Sequence, residues 1–163
     1  MSISLKKIVA VLNAKWLGLK TENEIENISI DSRSLQNSPS TLFFAIVGVN
    51  NDAHNYIEDL MSIGVQNFVV QYVPAGLEDK ANFLVVDNSI KALQDFAVFY
   101  RNKFQFPVIG LTGSNGKTIV KEWLNFLLSP DFNVIRSPKS YNSQVGVPLS
   151  IVAINEKHNL GIF

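Results

Sequence analysis

The run Val108-Ile109-Gly110-Leu111-Thr112-Gly113-Ser114-Asn115-Gly116-Lys117-Thr118 constrains this chain more than any other: a short apolar strand empties into a glycine-bearing loop, and a helix-forming segment follows. Gly113 and Gly116 let backbone N–H groups curl round an anion with no Cβ in the way, and a helix N-terminus behind the loop adds unpaired donors. Lys117 can then reach the β- and γ-phosphates of a nucleotide, and the Thr118 hydroxyl can hold Mg²⁺. The strict phosphate-loop pattern has glycine where this chain has Leu111, so the spacing departs at one position, and a chance Gly-Lys-Thr turn is the competing reading. The strand before and the helix after meet the structural requirement of the motif. Over 117–128 the spacing predicts a helix with Val120, Trp123, Leu124, Leu127 and Leu128 on its buried stripe and Lys121, Glu122 and Asn125 facing outward. A strand over 132–135 completes a strand–loop–helix–strand unit.

Upstream, Leu5, Ile8, Val9 and Leu12 mark an amphipathic surface helix too short and too polar to span a membrane, and no small-residue cleavage site follows it. Residues 25–30, 41–47, 67–70 and 83–86 read as short strands, with a polar turn over 31–40 and a helical face at Ile57, Leu60 and Met61. Asn88 or Ser89 can cap a long helix whose apolar positions Ile90, Leu93, Phe96, Ala97, Tyr100 and Phe104 place its aromatics in the core. Pro107 ends that helix, which puts a domain boundary near Phe106. The 163 residues are 47% hydrophobic and 17% charged, with fourteen basic and fourteen acidic side chains. That balance argues against a sequence-independent hold on nucleic acid, which needs surplus Lys and Arg. The absence of cysteine excludes disulfides and thiolate metal sites and fits a cytoplasmic location. His54 reads as a capping or loop-packing residue and His158 as solvent-facing, and the two lack the spacing of a metal pair. Residues 159–163 read as the start of a buried strand. Three strands and two helices are few for a parallel nucleotide-binding sheet, so the sequence reads as a fragment.

Leu111-Thr112-Gly113-Ser114-Asn115-Gly116-Lys117-Thr118 resembles the Mur ligase form of the phosphate loop, in which a non-glycine first position is normal. Ile30-Asp31-Ser32-Arg33-Ser34, Leu42-Phe43-Phe44-Ala45-Ile46-Val47-Gly48 and Asp52-Ala53-His54-Asn55-Tyr56-Ile57 resemble the UDP-sugar-binding domain of the later Mur ligases. Lys121-Glu122 and Asn142-Ser143-Gln144-Val145-Gly146-Val147-Pro148-Leu149 resemble the branch that adds D-alanyl-D-alanine to UDP-N-acetylmuramoyl-tripeptide. The stretch Ser137-Pro138-Lys139-Ser140-Tyr141-Asn142 resembles forms fused to an alanine racemase. Ala53 stands where the family has glycine, and Ile119 where it has a second threonine.

The resemblance implies an α/β chain: a small N-terminal UDP-sugar-binding domain over 1–106, then over 107–163 the truncated start of a phosphate-loop, parallel-sheet ATPase domain. It implies ATP and Mg²⁺, with Gly113, Ser114, Asn115, Gly116, Lys117, Thr118 and Ile119 at the nucleotide, Ile119 through its backbone. Lys117 is the catalytic residue implied and Thr118 the metal ligand. Ser32, Arg33, Val49, Asn50 and Asn51 are implied at the UDP-sugar, with Asn142 and Ser143 on the facing domain. Physically, Arg33 can pair with a diphosphate and Asn side chains can read the amide-like edge of uracil. A local Asp31–Arg33 ion pair organising a turn is the plainer alternative. In the implied reaction ATP activates the tripeptide carboxylate as an acyl phosphate, and the amine of D-alanyl-D-alanine attacks it. The remaining catalytic machinery lies beyond Phe163 in the family, so the 163 residues are expected not to ligate alone. Two other readings stand beside this one: a sibling amide ligase, adding the third peptide residue or glutamate to folate, and a non-catalytic module that binds a nucleotide or UDP-sugar.

Overall fold

The computed structural model describes residues 2–33, 35, 39–138 and 143–163. The chain divides between Phe96 and Ala97 into two compact units. In the first, strand β1 (Ile3–Ser4) runs into helix α1 (Leu5–Leu12). The Ser4 hydroxyl caps α1 by accepting the Lys7 N–H at 3.3 Å, and Asn13, left-handed at φ +48°, ends it. Strands β2 (Lys15–Gly18), β3 (Glu24–Ile25), β4 (Asn27–Ser29) and β5 (Thr41–Phe44) follow. A 3₁₀ turn over Ala53–Tyr56 leads into α2 (Ile57–Ser62), then β6 (Asn67–Val70), β7 (Asn82–Val85) and α3 (Ser89–Arg101), within which the division between the units falls.

Five of these strands hydrogen-bond in the order β2-β7-β6-β5-β4, all parallel except β2, an antiparallel edge. The single strand expected over 25–30 is split in two. The N–H groups of Glu26 and Asn27 both donate to the Ser40 carbonyl, which frees β3 to pair antiparallel with β1 while β4 joins β5. Strands β5 and β6 are buried at every position, as continuous apolar runs in a parallel sheet require. On one face Phe43, Phe68 and Phe83 stand side by side across three strands, with ring centroids 6.3 and 5.7 Å apart. Ile57 and Leu60 of α2 join that core. On the other face Phe44 meets Phe96 of α3 at 6.3 Å.

The amino ends of the strands are stitched by side-chain amides. Asn67 and Asn82 are register partners, both fully buried. The Asn82 amide donates to Asn67 Oδ1 at 2.9 Å and to the Thr21 carbonyl at 2.9 Å, while its own oxygen accepts from the Thr21 N–H and the Trp16 indole. The Asn67 amide donates to the Pro39 carbonyl at 2.7 Å, and its oxygen also accepts from Asn23. Each amide is therefore satisfied on both its nitrogen and its oxygen, which makes burial of two asparagines tolerable.

Helix α3 is capped by Asn88, which accepts the Lys91 N–H at 2.9 Å. Phe96 and Tyr100 are buried as expected, but Phe104 lies past the end of the helix and packs edge-on to Tyr100. Arg101 terminates the run by donating to the carbonyls of Phe104 and Phe106.

The second unit contains β8 (Val108–Ile109), α4 (Lys117–Leu128), β9 (Val134–Arg136), α5 (Gly146–Val152) and β10 (Leu160–Ile162). Its three strands are parallel in the order β8-β10-β9, with the last strand in the chain at the centre. Gly161 sits where an added Cβ would lie 3.0 Å from the Phe163 ring and 3.1 Å from the Val108 side chain, so the central strand admits only glycine there without a shift. Of the stripe expected on α4, Val120, Trp123 and Leu127 are exposed and Leu124 and Leu128 half-buried. Lys121 is 5% exposed, whereas Trp123, Phe126 and Leu127 are 68%, 79% and 66% exposed. Periodicity marks a stripe without saying what covers it, and here a buried acceptor at Ser137 and the Arg136 guanidinium turn the 121–122 side of the helix toward the sheet. Among the described residues no helix is long and apolar enough to cross a membrane.

Replacing Asn67 by Ala leaves the Asn23 and Asn82 amide donors and the Pro39 carbonyl without their partner. Urea denaturation is expected to register a loss of about 2–3 kcal/mol. A loss below half of that would mean that water or a neighbour replaces the bonds.

Candidate functional site

The loop after β8 is fixed to the sheet at its entry. The Leu111 N–H donates to the Phe163 carbonyl at 2.6 Å, and the Phe163 N–H donates to that of Ile109 at 3.0 Å. Gly113 and Gly116 then adopt φ +143° and +80°. An added Cβ would meet nothing closer than 3.9 Å at Gly113 and nothing within 4 Å at Gly116, so conformation rather than crowding demands glycine, and the space above the loop is open. Gly116 is the N-cap of α4 and has no side chain to cap it. The N–H groups of Lys117, Thr118 and Ile119 therefore stand at the helix start without intrahelical acceptors, the Val120 N–H being the first to bond back, to Gly116 at 2.9 Å. Ser114, Asn115, Thr118 and Ile119 are exposed. The Lys117 ammonium folds back over the loop and donates to the Gly113 carbonyl. A cation above a ring of outward amides at a helix N-terminus is suited to the phosphates of a nucleotide. Among the described residues no group of three or more His, Cys, Asp or Glu is placed to hold a metal ion.

One turn further along α4, Lys121 donates to the Ser137 carbonyl at 2.7 Å and to its hydroxyl at 3.3 Å. Burial lowers the pKa of this ammonium. Beside it Arg136 and Glu122 pair at 2.6 Å. Ser143 accepts the Gly146 N–H on its hydroxyl at 3.0 Å and so opens α5, a local role for a residue expected at the substrate. Asn142 lies outside the described residues.

In the first unit, an open cleft of about 410 Å³ is lined by Ile30, Asp31, Ser32, Arg33, Asn51, Ala53 and Tyr56. It gathers three of the residues expected at a UDP-sugar, Ser32, Arg33 and Asn51, from the ends of β4 and β5. Val49 and Asn50 do not line it. They stand exposed at the tip of a tight loop closed by Gly48 N–H to the Asn51 carbonyl at 2.8 Å. Arg33 forks onto Asp31 with bonds of 2.9 and 3.0 Å and keeps its side chain 88% exposed. That pair lowers the Asp31 pKa, chiefly through the guanidinium hydrogen bonds. The local turn and the cleft wall are thus built by the same two side chains.

The loop that presents Asn51 is held from behind. The Asp52 carboxylate accepts the His54 N–H at 2.9 Å, the His54 ring Nδ1–H at 2.6 Å and the Tyr72 hydroxyl at 2.7 Å. The Gln71 N–H donates to His54 Nε2 at 3.0 Å, which places the ring proton on Nδ1 and leaves the buried imidazole no free nitrogen for proton transfer. Tyr72 stacks on that ring at 4.1 Å. His158 is half-buried rather than solvent-facing, because its Nδ1 accepts the Asn155 N–H at 3.0 Å.

Sequence reasoning overlooked Tyr56 and Lys121. Tyr56 lines the cleft and donates to Asn51 Oδ1 at 3.0 Å. Its place just ahead of the Ile57-Leu60-Met61 face, where Ile57 and Leu60 are buried, was the available signal. For Lys121 the signal was its position one turn after Lys117.

Burial raises the Asp52 carboxyl, but the hydrogen bonds from the His54 N–H, Tyr72 and the His54 ring outweigh it and hold its pKa below the usual carboxylate value. The stability this gives is fully present above the unfolded-state pKa, about 4, and is lost as pH falls through the lower folded value. Asp52→Asn is therefore expected to lower the melting temperature at neutral pH and to flatten its decline below about pH 4. An unchanged acid limb in the variant would show that Asp52 carries no such linkage.

No protein-family model matches the chain. It is 31% identical over 163 residues to UDP-N-acetylmuramoyl-tripeptide–D-alanyl-D-alanine ligase of Treponema pallidum, an alignment covering 94% of this chain and 35% of that protein. Its fold matches the crystal structure of MurF from Acinetobacter baumannii with a TM-score of 0.88 and 26% identity, over 100% of this chain and 35% of the other. It also matches MurF ligase from Thermotoga maritima in complex with ADP, with a TM-score of 0.73 and 25% identity, over 84% of this chain and 31% of the other. Nothing in these relatives supports the expected fusion to an alanine racemase, which is set aside, and residues 139–142 of the stretch behind it lie outside the described residues. The chain spans about a third of the length of the relatives it matches, and over that third it is similar in sequence and in fold to proteins named UDP-N-acetylmuramoyl-tripeptide–D-alanyl-D-alanine ligase.

Proposed function

We propose that residues 1–106 form the UDP-sugar-binding domain, and residues 107–163 the first part of the ATP-binding domain, of a cytoplasmic ligase of peptidoglycan precursor synthesis. Its substrates are ATP, UDP-N-acetylmuramoyl-tripeptide and D-alanyl-D-alanine. The observation that carries the reading is the amide cradle at Gly113–Ile119 under the Lys117 ammonium, in a chain whose relatives bear that ligase name.

ATP supplies the phosphoryl group: a tripeptide carboxylate oxygen displaces ADP at the γ-phosphorus, and the dipeptide amine then displaces phosphate to form the amide. The residues of this chain position and neutralise charge. Lys117 exchanges the Gly113 carbonyl for phosphate oxygens, a move between oxygen acceptors that needs no new donor geometry. The N–H groups of 117–119 fix the phosphates on the axis of α4, with Ser114 and Asn115 shaping the loop. Thr118 offers its hydroxyl to Mg²⁺. Charge neutralisation of this kind is the main lever on phosphoryl transfer. In the first unit Arg33 faces the diphosphate, with Ser32 and Asn51 beside it and Val49 and Asn50 at the loop tip.

Calorimetric titration of the chain tests both halves. Lys117→Ala is expected to weaken Mg-ATP at least tenfold, about 1.4 kcal/mol, and to leave UDP-N-acetylmuramoyl-tripeptide binding intact. Arg33→Ala is expected to do the reverse. Mg-ATP binding that ignores Lys117→Ala would remove the cradle from the argument, and sugar binding that ignores Arg33→Ala would move the substrate site. A sibling ligase differs in the amine it accepts, which an acceptor series with the protein carrying this chain separates. A binding module gives the same titrations without ligation.

A further inference from the structure

We propose that Lys121 is a positioning residue for the nucleotide cradle, its ammonium setting where the N-terminus of α4 stands against the end of β9. The inference rests on the nucleotide reading of the loop. Of the twelve residues of α4, Lys121 is the one that is buried, while Trp123, Phe126 and Leu127 are largely exposed. A helix is ordinarily seated by an apolar stripe. This one is tied near its start by Lys121 to Ser137 and, next to it, by Glu122 to Arg136.

Burying an ammonium is costly unless its donors are satisfied, and a methionine of similar length would seat the helix without that cost. What the lysine adds is direction. Its 2.7 Å bond ends on the Ser137 carbonyl, and the Ser137 N–H makes the last rung of the sheet, to Ile162 at 3.3 Å. The opposite end of the loop is fixed to the same central strand, through Leu111 N–H and the Phe163 carbonyl at 2.6 Å. Both ends of the cradle are thus referred to β10, one through the backbone and one through Lys121. Residues four apart lie on one helix face, so a shift at Lys121 is carried to Lys117 and to the amides of 117–119. Donors held in place before the anion arrives bind it without paying to be ordered.

The test uses Mg-ATP titration and thermal melting of the protein carrying this chain with Lys121→Met, Lys121→Arg and Ser137→Ala. Lys121→Met, which keeps the stem and loses every donor, is expected to bind Mg-ATP tenfold or more weakly in its folded state. Lys121→Arg keeps a donor for the carbonyl and is expected to recover most of that affinity. Ser137→Ala, which removes only the 3.3 Å contact, is the variant least able to unfold the unit and is expected to weaken binding two- to threefold. A merely structural lysine would lower the melting temperature of the Met and Arg variants and leave the affinity of the folded protein unchanged, and that result overturns the proposal. So does Ser137→Ala binding as wild type together with a Met variant within twofold of it. Failure of the unaltered protein carrying this chain to bind Mg-ATP overturns the nucleotide reading itself, and is told apart because it needs no variant.

Discussion

Parallel pairing is the constraint on which both units depend. When strands run the same way, every carboxyl end lies along one edge of the sheet, and the loops that leave those ends are delivered together. In the first unit that edge collects the 30–33 turn after β4 and the 45–52 loop after β5, which between them wall the cleft of Ser32, Arg33 and Asn51. In the second it collects the glycine loop after β8 and Ser137 after β9, on either side of β10. The glycine loop and the cleft, the sites proposed for nucleotide and sugar, thus use the same topological property twice.

The opposite edge of the first sheet has a different task. Asn67 and Asn82 begin β6 and β7, and their amides tie the 19–23 and 39–41 segments to the strand starts. With the amino edge sealed by saturated amides, the carboxyl edge can hold exposed polar groups whose bonding is less complete. His54 is instructive because it looks like a catalytic base and is not one. Asp52 and Gln71 occupy both of its ring nitrogens, so its effect on the cleft passes through the backbone of the loop it braces.

Features that depend on neighbours in sequence were legible in it. The limits of α4, the strand at 67–70 and the capping of α3 follow from local spacing, glycine and Asn chemistry, and the structure returns them. Features that depend on distant partners were not. Nothing local tells residues 25–30 to change sheets at Glu26, because the cause is a carbonyl at Ser40. The burial of Lys121 on α4 has the same origin, since the acceptor that holds it lies sixteen residues away. Tyr72 reaches Asp52 across twenty residues, beyond what a pattern of periods can carry.

The Asp31–Arg33 pair shows why a structural and a functional reading of one motif need not compete. The guanidinium forks onto the carboxylate two residues away and thereby fixes the turn after β4. An ion pair this exposed contributes little to stability, because water screens it. What the pairing does provide is a preferred orientation: Nε and Nη2 of Arg33 lie on the Asp31 carboxylate at the cleft wall, which leaves Nη1 outside the pair. In the proposed substrate site a diphosphate would meet that cation at the cleft wall, with the Asp31 carboxylate limiting the net positive charge there. The bonds that organise the turn are therefore also the ones that would orient the arginine in the proposed site.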